Sequence, residues 1–144
     1  MVVTDGKGTP IGLHVDSAQK AEVKLAQTTL ATVRVHQPKG RPRTRPDYLP
    51  AAKGYDSPAG AGQDLHRRGV RHSIPPIRRT GRWRSRRLPR YDPTRYAQRW
   101  IVERSNAWLQ NFRRVLVRHE RLLTTYRAFV FIACLLIALR ALSK

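Results

Sequence analysis

The chain has 144 residues, and 29 Lys and Arg against 9 Asp and Glu give it a formal net charge of +20. This length fits one domain at the usual rate of roughly 100–200 residues per domain. An apolar fraction of 40% excludes a purely disordered basic tail, and a single cysteine excludes both an internal disulfide framework and a multi-cysteine zinc site. Because so large a charge opposes compaction unless a polyanion neutralises it, we expect an intracellular protein that contacts nucleic acid.

The N-terminal residues predict a β-hairpin. Asp5-Gly6 and a second glycine, Gly8, separate the apolar residues Met1–Val3 from Ile11–Val15, and glycine supplies the positive φ of such a turn. The first strand begins at residue 1 and is very short, which suggests that the sheet lacks something upstream.

A helix is predicted from Ser17 to Val35, with Ser17 or Asp16 as its cap. Its apolar residues recur at three- and four-residue spacing and would line one face. These residues are Val23, Ala26, Leu30 and Val33. The threonines of its second half are poor helix formers, so the sequence does not fix where the helix ends.

The middle of the chain predicts a strand, a helix and a second strand. The strand Tyr48–Ala52 contains Pro50, which cannot donate a ladder hydrogen bond and therefore favours a sheet edge. Ser57–Arg68 is a weak helix with internal glycines, and Val70–Ile74 is the second strand. Together with the long helices that follow, this order predicts the α/β class, with a small mixed sheet covered by helices.

Three segments are rich in basic residues and could contact DNA phosphates. We interpret residues 75–92 as a mobile basic arm, in which Trp83 and Tyr91 could stack on unpaired bases. The segments are Gln37–Pro46, Arg67–Arg71 and Arg78–Arg90.

The C-terminal part, residues 93–144, is predicted to be helical. Asp92-Pro93 is a typical helix start, and a helix is expected from Thr94 to about Val117. Its apolar stripe is Ile101, Trp108, Phe112 and Val115.

A last helix is expected to run to about Leu142, capped by Thr124 or Thr125. Its apolar run, Ala128–Leu139, is shorter than the about 20 residues of a membrane-spanning helix. We therefore expect a packed core helix without membrane contact, the alternative being a truncated or re-entrant membrane segment. Cys134 in this run is expected to be a small core residue.

Glu103 is the most informative acidic residue because of its helical neighbours. At 3.6 residues per turn, Tyr96, Arg99, Glu103 and Gln110 would project from one face. A carboxylate beside an arginine could hold a divalent cation next to a phosphate. The alternative is a simple ion pair between Glu103 and Arg99 across one turn, worth about 0.3–0.5 kcal/mol.

The spacing of Tyr96, Arg99 and Glu103 resembles the last signature of DDE-type insertion-sequence transposases. The family pattern is Tyr, two residues, Arg, three residues, Glu, six residues and Lys, and here Gln110 stands at the final position. Further similar segments are Lys53–Ser57, which resembles the region around the second catalytic Asp, the hairpin Asp5–Val15, and Trp108–Arg114.

The resemblance implies a partial ribonuclease H-like fold in which three carboxylates hold two divalent metals, Mg²⁺ or Mn²⁺, for DNA cleavage and strand transfer. Glu103 would be the third carboxylate, both catalytic residue and metal ligand. Tyr96, Arg99, Arg104 and Gln110 would contact DNA.

The departures from the family pattern predict loss of catalysis. The position of the second Asp is Ala52, and the first Asp would lie upstream of Met1. Asp56 lies four residues after Ala52 and would need a different backbone path to replace it. We therefore expect residues 1–144 to be a truncated catalytic domain that binds DNA, is inactive alone, and is cytoplasmic and nucleoid-associated.

Three functional interpretations follow. The leading one is a transposase-derived fragment that binds DNA through basic helices and arms, with an oligomer with an intact transposase as a further partner. The chain could instead be a non-enzymatic basic nucleic-acid-binding protein unrelated to transposition. The third alternative is a pseudogene product that folds poorly and has no stable function.

Overall fold

A computed structural model describes residues 1–17, 19–56, 61–77 and 91–143. Within these ranges the chain is a mixed α/β protein with two separate two-stranded sheets. Strands β1 (Val2–Thr4) and β2 (Pro10–Leu13) are antiparallel, and β3 (Tyr48–Pro50) and β4 (Arg71–Ser73) are parallel. The predicted α/β class with C-terminal helices is confirmed at this level.

The N-terminal hairpin is confirmed, and its turn is held by one side chain. Asp5 Oδ1 accepts backbone N–H bonds from Lys7 at 2.9 Å and from Thr9 at 2.8 Å. Gly8 has a φ of +91°, a conformation that favours glycine. The second strand ends at Leu13, two residues earlier than predicted.

Helix α1 (Glu22–Ala31) is shorter than the predicted helix, and the prediction of its cap was wrong. The Asp16 carboxylate accepts instead from Ser17 N at 2.7 Å and from Lys20 Nζ at 2.8 Å. These bonds hold the pKa of Asp16 down at about 2, with the Lys20 bond as the largest cause. Ala21 therefore precedes the helix, and it has no side-chain cap.

Both predicted strands of the middle region form, each shortened to three residues. The register pairs Tyr48 with Arg71 and Pro50 with Ser73. Because β3 pairs with β4 on one side only, Pro50 lies on an edge strand, as expected. A single 3-10 turn, Lys53–Tyr55, follows β3.

Helix α2 covers Ala61–Arg67 within the predicted range 57–68. Residues 57–60, where that helix was predicted to begin, lie outside the described residues. The same is true of residues 78–90, so the basic arm and Trp83 stay predictions.

The single helix predicted from Thr94 to Val117 was wrong, because the chain forms three helices here. These are α3 (Pro93–Ala97), α4 (Trp100–Gln110) and α5 (Arg113–Leu116). The start is as predicted, since Asp92 Oδ1 accepts from Arg95 N at 3.1 Å.

The backbone changes at both breaks between these helices. After α3, backbone hydrogen bonds that span three residues replace the α-helical bonds that span four. Arg99 N, for example, donates to Tyr96 O at 2.9 Å. The second break falls at Phe112, which has extended backbone angles and packs its ring against the core.

Helix α6 (Leu123–Leu142) is confirmed, but its predicted cap was wrong because Thr124 and Thr125 lie inside its first turn. One side is buried in the core, and burial raises the pKa of the Cys134 thiol, in accord with a core role. The buried residues are Val130, Ala133, Cys134 and Ile137. The other side exposes Phe131, Ile132, Leu135, Leu136 and Leu139. The expected packing therefore holds for one face only.

By length and composition alone, α6 is also a helix that could cross a membrane. Its mean hydropathy is 1.8 over the most apolar 18 residues, of which 17% are buried. Core helices of soluble proteins share these properties, so one such helix is weak evidence for a membrane span.

The buried apolar residues form two clusters. The C-terminal cluster joins β2, α4 and α6 and consists of Leu13, Leu109, Val130, Ala133, Cys134 and Ile137. The central cluster joins α1, the 3-10 turn, α2 and the strand region around β4, and consists of Ala26, Tyr55, Leu65, Val70 and Ile74. Val23 and Leu30 pack against the central cluster, and Val33 is buried, so the predicted α1 face is confirmed.

Candidate functional site

A cavity of about 730 Å³ lies between the two sheets, and Glu103 is among the residues that line it. Strands β1 and β3 both contribute to its walls, and α1 and α4 contribute further residues. Among the residues that line this central cavity are Val2, Thr4, Ala26, Tyr48, Ala52, Arg99 and Glu103.

Glu103 opens onto the central cavity and pairs with an arginine. Its Oε1 lies 2.5 Å from Arg99 Nη2, and its side chain is 55% exposed. Arg99 directly precedes α4 and Glu103 lies one turn later. Because residues four apart are neighbours on a helix surface, the two side chains meet. The ion pair that the spacing offered as the alternative is thus present.

Ala52 lines the same cavity as Glu103. It directly precedes the 3-10 turn Lys53–Tyr55, and its methyl group has no atom that could bind a metal. The segment that resembles the second carboxylate region therefore lines the same cavity as Glu103, with an alanine at the position of the carboxylate.

Asp56 does not replace the missing carboxylate. It is 7% exposed, and its Oδ2 accepts a bond from Ile77 N at 2.7 Å. Asp56 is absent from the lining of the central cavity. Its side chain instead joins the turn after β3 to the segment after β4.

The donor set of the central cavity does not fit a two-metal site. Asp5, Glu22, Asp47 and Glu103 line it, but Asp5 is occupied by two backbone N–H bonds and Glu103 by Arg99. In the part of the chain that the structure describes, no three His, Cys, Asp or Glu residues are grouped closely enough to hold a metal ion.

The side chains of Tyr96, Arg99 and Glu103 contact one another in sequence order, although Tyr96 belongs to α3 and Glu103 to α4. The Arg99 guanidinium lies 5.4 Å from the centre of the Tyr96 ring, a cation–π contact. Tyr96 in turn meets the edge of Tyr91 at 5.6 Å between ring centres. Gln110 is the exposed last residue of α4 and lies outside the cavity lining.

Arg104, predicted to contact DNA, is engaged within the chain. Its guanidinium lies between the Trp100 and Trp108 rings, 4.6 and 4.7 Å from their centres. It also donates to Lys7 O at 2.8 Å. These contacts attach α4 to the turn of the hairpin, and DNA contact by Arg104 stays a prediction.

Ser105 is a residue that the sequence interpretation missed. It is fully buried, and its Oγ lies 2.7 Å from Gly8 O and 2.9 Å from Ile101 O. Gly8 allows this close approach, because a Cβ there would lie 2.9 Å from Ser105 Oγ. The positive-φ glycine was visible in the sequence, but its partner 97 residues away was not.

A second missed feature is a basic cluster that joins two of the predicted phosphate-binding segments. Arg45 Nη1 donates to Arg68 O at 3.4 Å, although 23 residues separate them. Arg34, Arg45 and Arg68 line one shallow pocket of about 240 Å³, and no acidic residue lines it. We call these three residues the basic cluster.

Comparison with known sequences gives two matches. A family model described as a transposase DDE domain matches residues 1–138. The transposase proposed for insertion sequence element IS402 of Burkholderia cepacia is 34% identical over 148 aligned positions, which cover 99% of this chain and 63% of that protein.

No solved structure matches the chain. The two sequence matches do not support the alternative of a basic binding protein unrelated to transposition.

Proposed function

Because the chain belongs to the transposase DDE domain family, we propose that it is a DNA-binding part of an insertion-sequence transposase that does not cleave DNA by itself. One observation carries the second half of this proposal. Ala52 and Glu103 line the same cavity, and the position that resembles the second carboxylate of the family holds a methyl group.

The metal chemistry of the family does not fit the residues of this chain. Domains of this family generally use divalent metals, and a bound metal pair activates the nucleophile and stabilises the leaving oxygen. Mg²⁺ and Mn²⁺ prefer several oxygen ligands, whereas Glu103 is paired with Arg99. The residues of this chain therefore support no metal-dependent step.

DNA contact is supported by the distribution of charge. The net charge is +20, and the basic cluster presents three guanidinium groups without an acidic residue beside them. Such groups bind phosphates regardless of base sequence, and each neutralised phosphate makes binding more sensitive to salt. Tyr91 and Tyr96 add aromatic surface next to Arg99, on which an unpaired base could stack.

We further propose a fold, a cellular location and a partner for this domain. The two sheets and the helices around them are a partial ribonuclease H-like fold. The chain acts on DNA in the bacterial cytoplasm, at the nucleoid. The domain assembles with an intact transposase, whose length exceeds that of this chain as the relative's does.

Salt-dependent DNA binding tests the contact that we propose. Fluorescence anisotropy with a labelled duplex should give an affinity that falls steeply with salt and varies little between sequences. Arg45→Ala and Arg68→Ala should each weaken binding for all sequences and reduce the salt slope by about 1.

Arg140→Ala is the matched control, because it removes the same charge from the exposed end of α6. Equal salt slopes for all three variants would contradict the role of the basic cluster. A sharp preference for one duplex at physiological salt would contradict sequence-independent contact.

A further inference from the structure

Between α1 and β3 the chain forms a small loop that its own backbone closes. Val35 and Arg43 form an isolated antiparallel bridge, with hydrogen bonds of 2.9 and 2.8 Å in the two directions. Arg43 also pairs with Asp47, and its Nε donates to Arg45 O at 3.3 Å. These contacts hold the base of the loop in place. We call residues 36–42 the Gly40 loop.

The tip of the Gly40 loop is exposed and conformationally restricted. Lys39, Gly40 and Arg41 are exposed, and a Cβ on Gly40 would have no atom of the chain within 4 Å. Gly40 has a φ of +89°, a conformation that favours glycine. Pro38 and Pro42 flank the tip, and proline fixes φ and lacks an N–H. The tip is thus a preformed turn with bare backbone between two basic side chains.

The charge of this loop is not neutralised within the part of the chain that the structure describes. No ion pair there includes Lys39 or Arg41. No acidic residue occurs in the sequence between Glu22 and Asp47. Arg45 follows the bridge by two residues and belongs to the basic cluster. The loop therefore adjoins the surface for which we propose phosphate contact.

The minor groove of A·T-rich DNA fits such a loop. This groove is about 6 Å wide, which is too narrow for a helix but admits an extended backbone without side chains. A·T-rich tracts narrow it further and strengthen its negative potential, which attracts inserted arginine and lysine. Guanine adds an N2 amino group to the groove floor, whereas A·T pairs have none. A glycine between two basic residues can therefore come closest to a floor of A·T pairs.

The rigidity of the loop favours a groove over loose phosphate contact. Phosphate contact needs only charge, which arginines elsewhere on the surface also supply. A closed turn bounded by prolines has little conformational freedom to lose when it enters a confined space. Phosphate contacts fix the position of a protein on a duplex, and contacts in a groove distinguish base pairs. The basic cluster and the Gly40 loop suit these two tasks.

We propose that the Gly40 loop enters the minor groove of double-stranded DNA and distinguishes A·T from G·C pairs. Lys39 and Arg41 extend along the groove, and the basic cluster holds the adjoining phosphates. This inference rests on the DNA contact of the proposed function and adds a preference for base composition. Because the minor groove does not distinguish A·T from T·A, duplexes of equal A·T content should still bind alike.

Binding to three duplexes of equal length tests this proposal. Fluorescence anisotropy with the full chain compares an A·T-rich, a G·C-rich and an inosine·cytosine duplex at one salt concentration. Inosine lacks the N2 amino group of guanine, so it changes the floor of the minor groove and keeps the major-groove acceptors. We expect the A·T and inosine·cytosine duplexes to bind at least about fivefold more tightly than the G·C duplex, the low end of the cost of one altered base pair.

Substitutions at the tip separate groove contact from charge. Arg41→Ala should remove the preference, whereas Arg140→Ala, which removes the same charge from α6, should keep it. Arg41→Lys should keep the salt slope but lower the preference, because an ammonium group is more strongly hydrated than a guanidinium group. Both side chains of the alanine pair are exposed, so these variants should keep the fold.

Two results would overturn this inference and leave the proposed function intact. One is equal, salt-sensitive affinity for all three duplexes, which would assign phosphate contact alone. The other is a preference that survives Arg41→Ala, or an inosine·cytosine duplex that binds like the G·C duplex, since either would place the base contact elsewhere. Absence of binding to every duplex would contradict the DNA contact itself and this inference with it.

Discussion

The two sides of helix α4 differ in how strongly they are tied to the rest of the molecule. On one side, Ser105 and Leu109 are 0% and 6% exposed, and Ser105 Oγ contacts the backbone of the hairpin turn. On the other side, Glu103 is more than half exposed and pairs with Arg99. The position of the helix thus depends on packing that does not involve the candidate catalytic residue.

Under the proposed function, this difference explains how the helix that carries Glu103 keeps its place although the site lacks a catalytic carboxylate. Removal of a buried group leaves a cavity or an unpaired polar atom, so packing contacts are costly to change. A carboxylate at the edge of an open cavity costs little to replace. Ala52 occupies such a position, since it lines the central cavity together with Glu103.

The largest effect is expected on the packed side of α4. Leu109→Ala should lower the free energy of unfolding by about 2–5 kcal/mol, because it opens a hole in the C-terminal cluster. Gln110→Ala, at the exposed neighbouring position, should change it by less than about 0.5 kcal/mol. Urea denaturation of both variants measures the difference, and equal values would contradict the described packing.

A smaller loss is expected where the hairpin turn meets α4. Gly8→Ala should cost about 1–3 kcal/mol, because its φ is +91° and the new Cβ would meet Ser105 Oγ at 2.9 Å. Gly6→Ala in the same turn meets no atom within 4 Å and serves as the control. Thermal melts that rank Gly6→Ala as the more damaging change would refute the contact.

Substitutions on the cavity side of α4 are expected to change the free energy of unfolding very little. Glu103→Gln should change the free energy of unfolding by less than about 1 kcal/mol, because exposed ion pairs contribute little. Arg99→Gln removes the other partner and should have a similarly small effect. A loss as large as that of Leu109→Ala would show that this pair holds the helix in place.

No gain of activity is expected from restoring one carboxylate. Ala52→Asp should leave metal-dependent DNA cleavage absent, because Glu103 and the new residue are still short of the three carboxylates that the family uses. The purified variant is assayed on plasmid DNA with Mg²⁺ and with Mn²⁺. Cleavage by this variant would mean that Asp5 or another acidic residue of the cavity completes the site.

Local signals in the sequence predicted most of the helices and strands but not the breaks between consecutive helices. The glycines around Asp5 and the pair Asp92-Pro93 specify their structures through neighbouring residues, so the hairpin and the start of α3 were predictable. The break after α3 is a local change in hydrogen bonding, whereas Phe112 at the second break packs against the core, and the uninterrupted helical pattern showed neither break.

The same distinction applies to the site. The spacing of Arg99 and Glu103 predicted their contact, because both lie on one helical stretch. The presence of Ala52 in the same cavity was indicated by resemblance alone. Contacts across the fold, such as Ser105 with Gly8 and Arg45 with Arg68, have no signal in sequence spacing.

We propose that this domain keeps its packing and lacks the ligands for catalysis. Plasmid nicking by the purified chain in Mn²⁺, measured beside Glu103→Gln, tests it most directly. We expect the same background for both proteins at every metal concentration. Metal-dependent nicking by the unmodified chain that disappears in Glu103→Gln would contradict the claim.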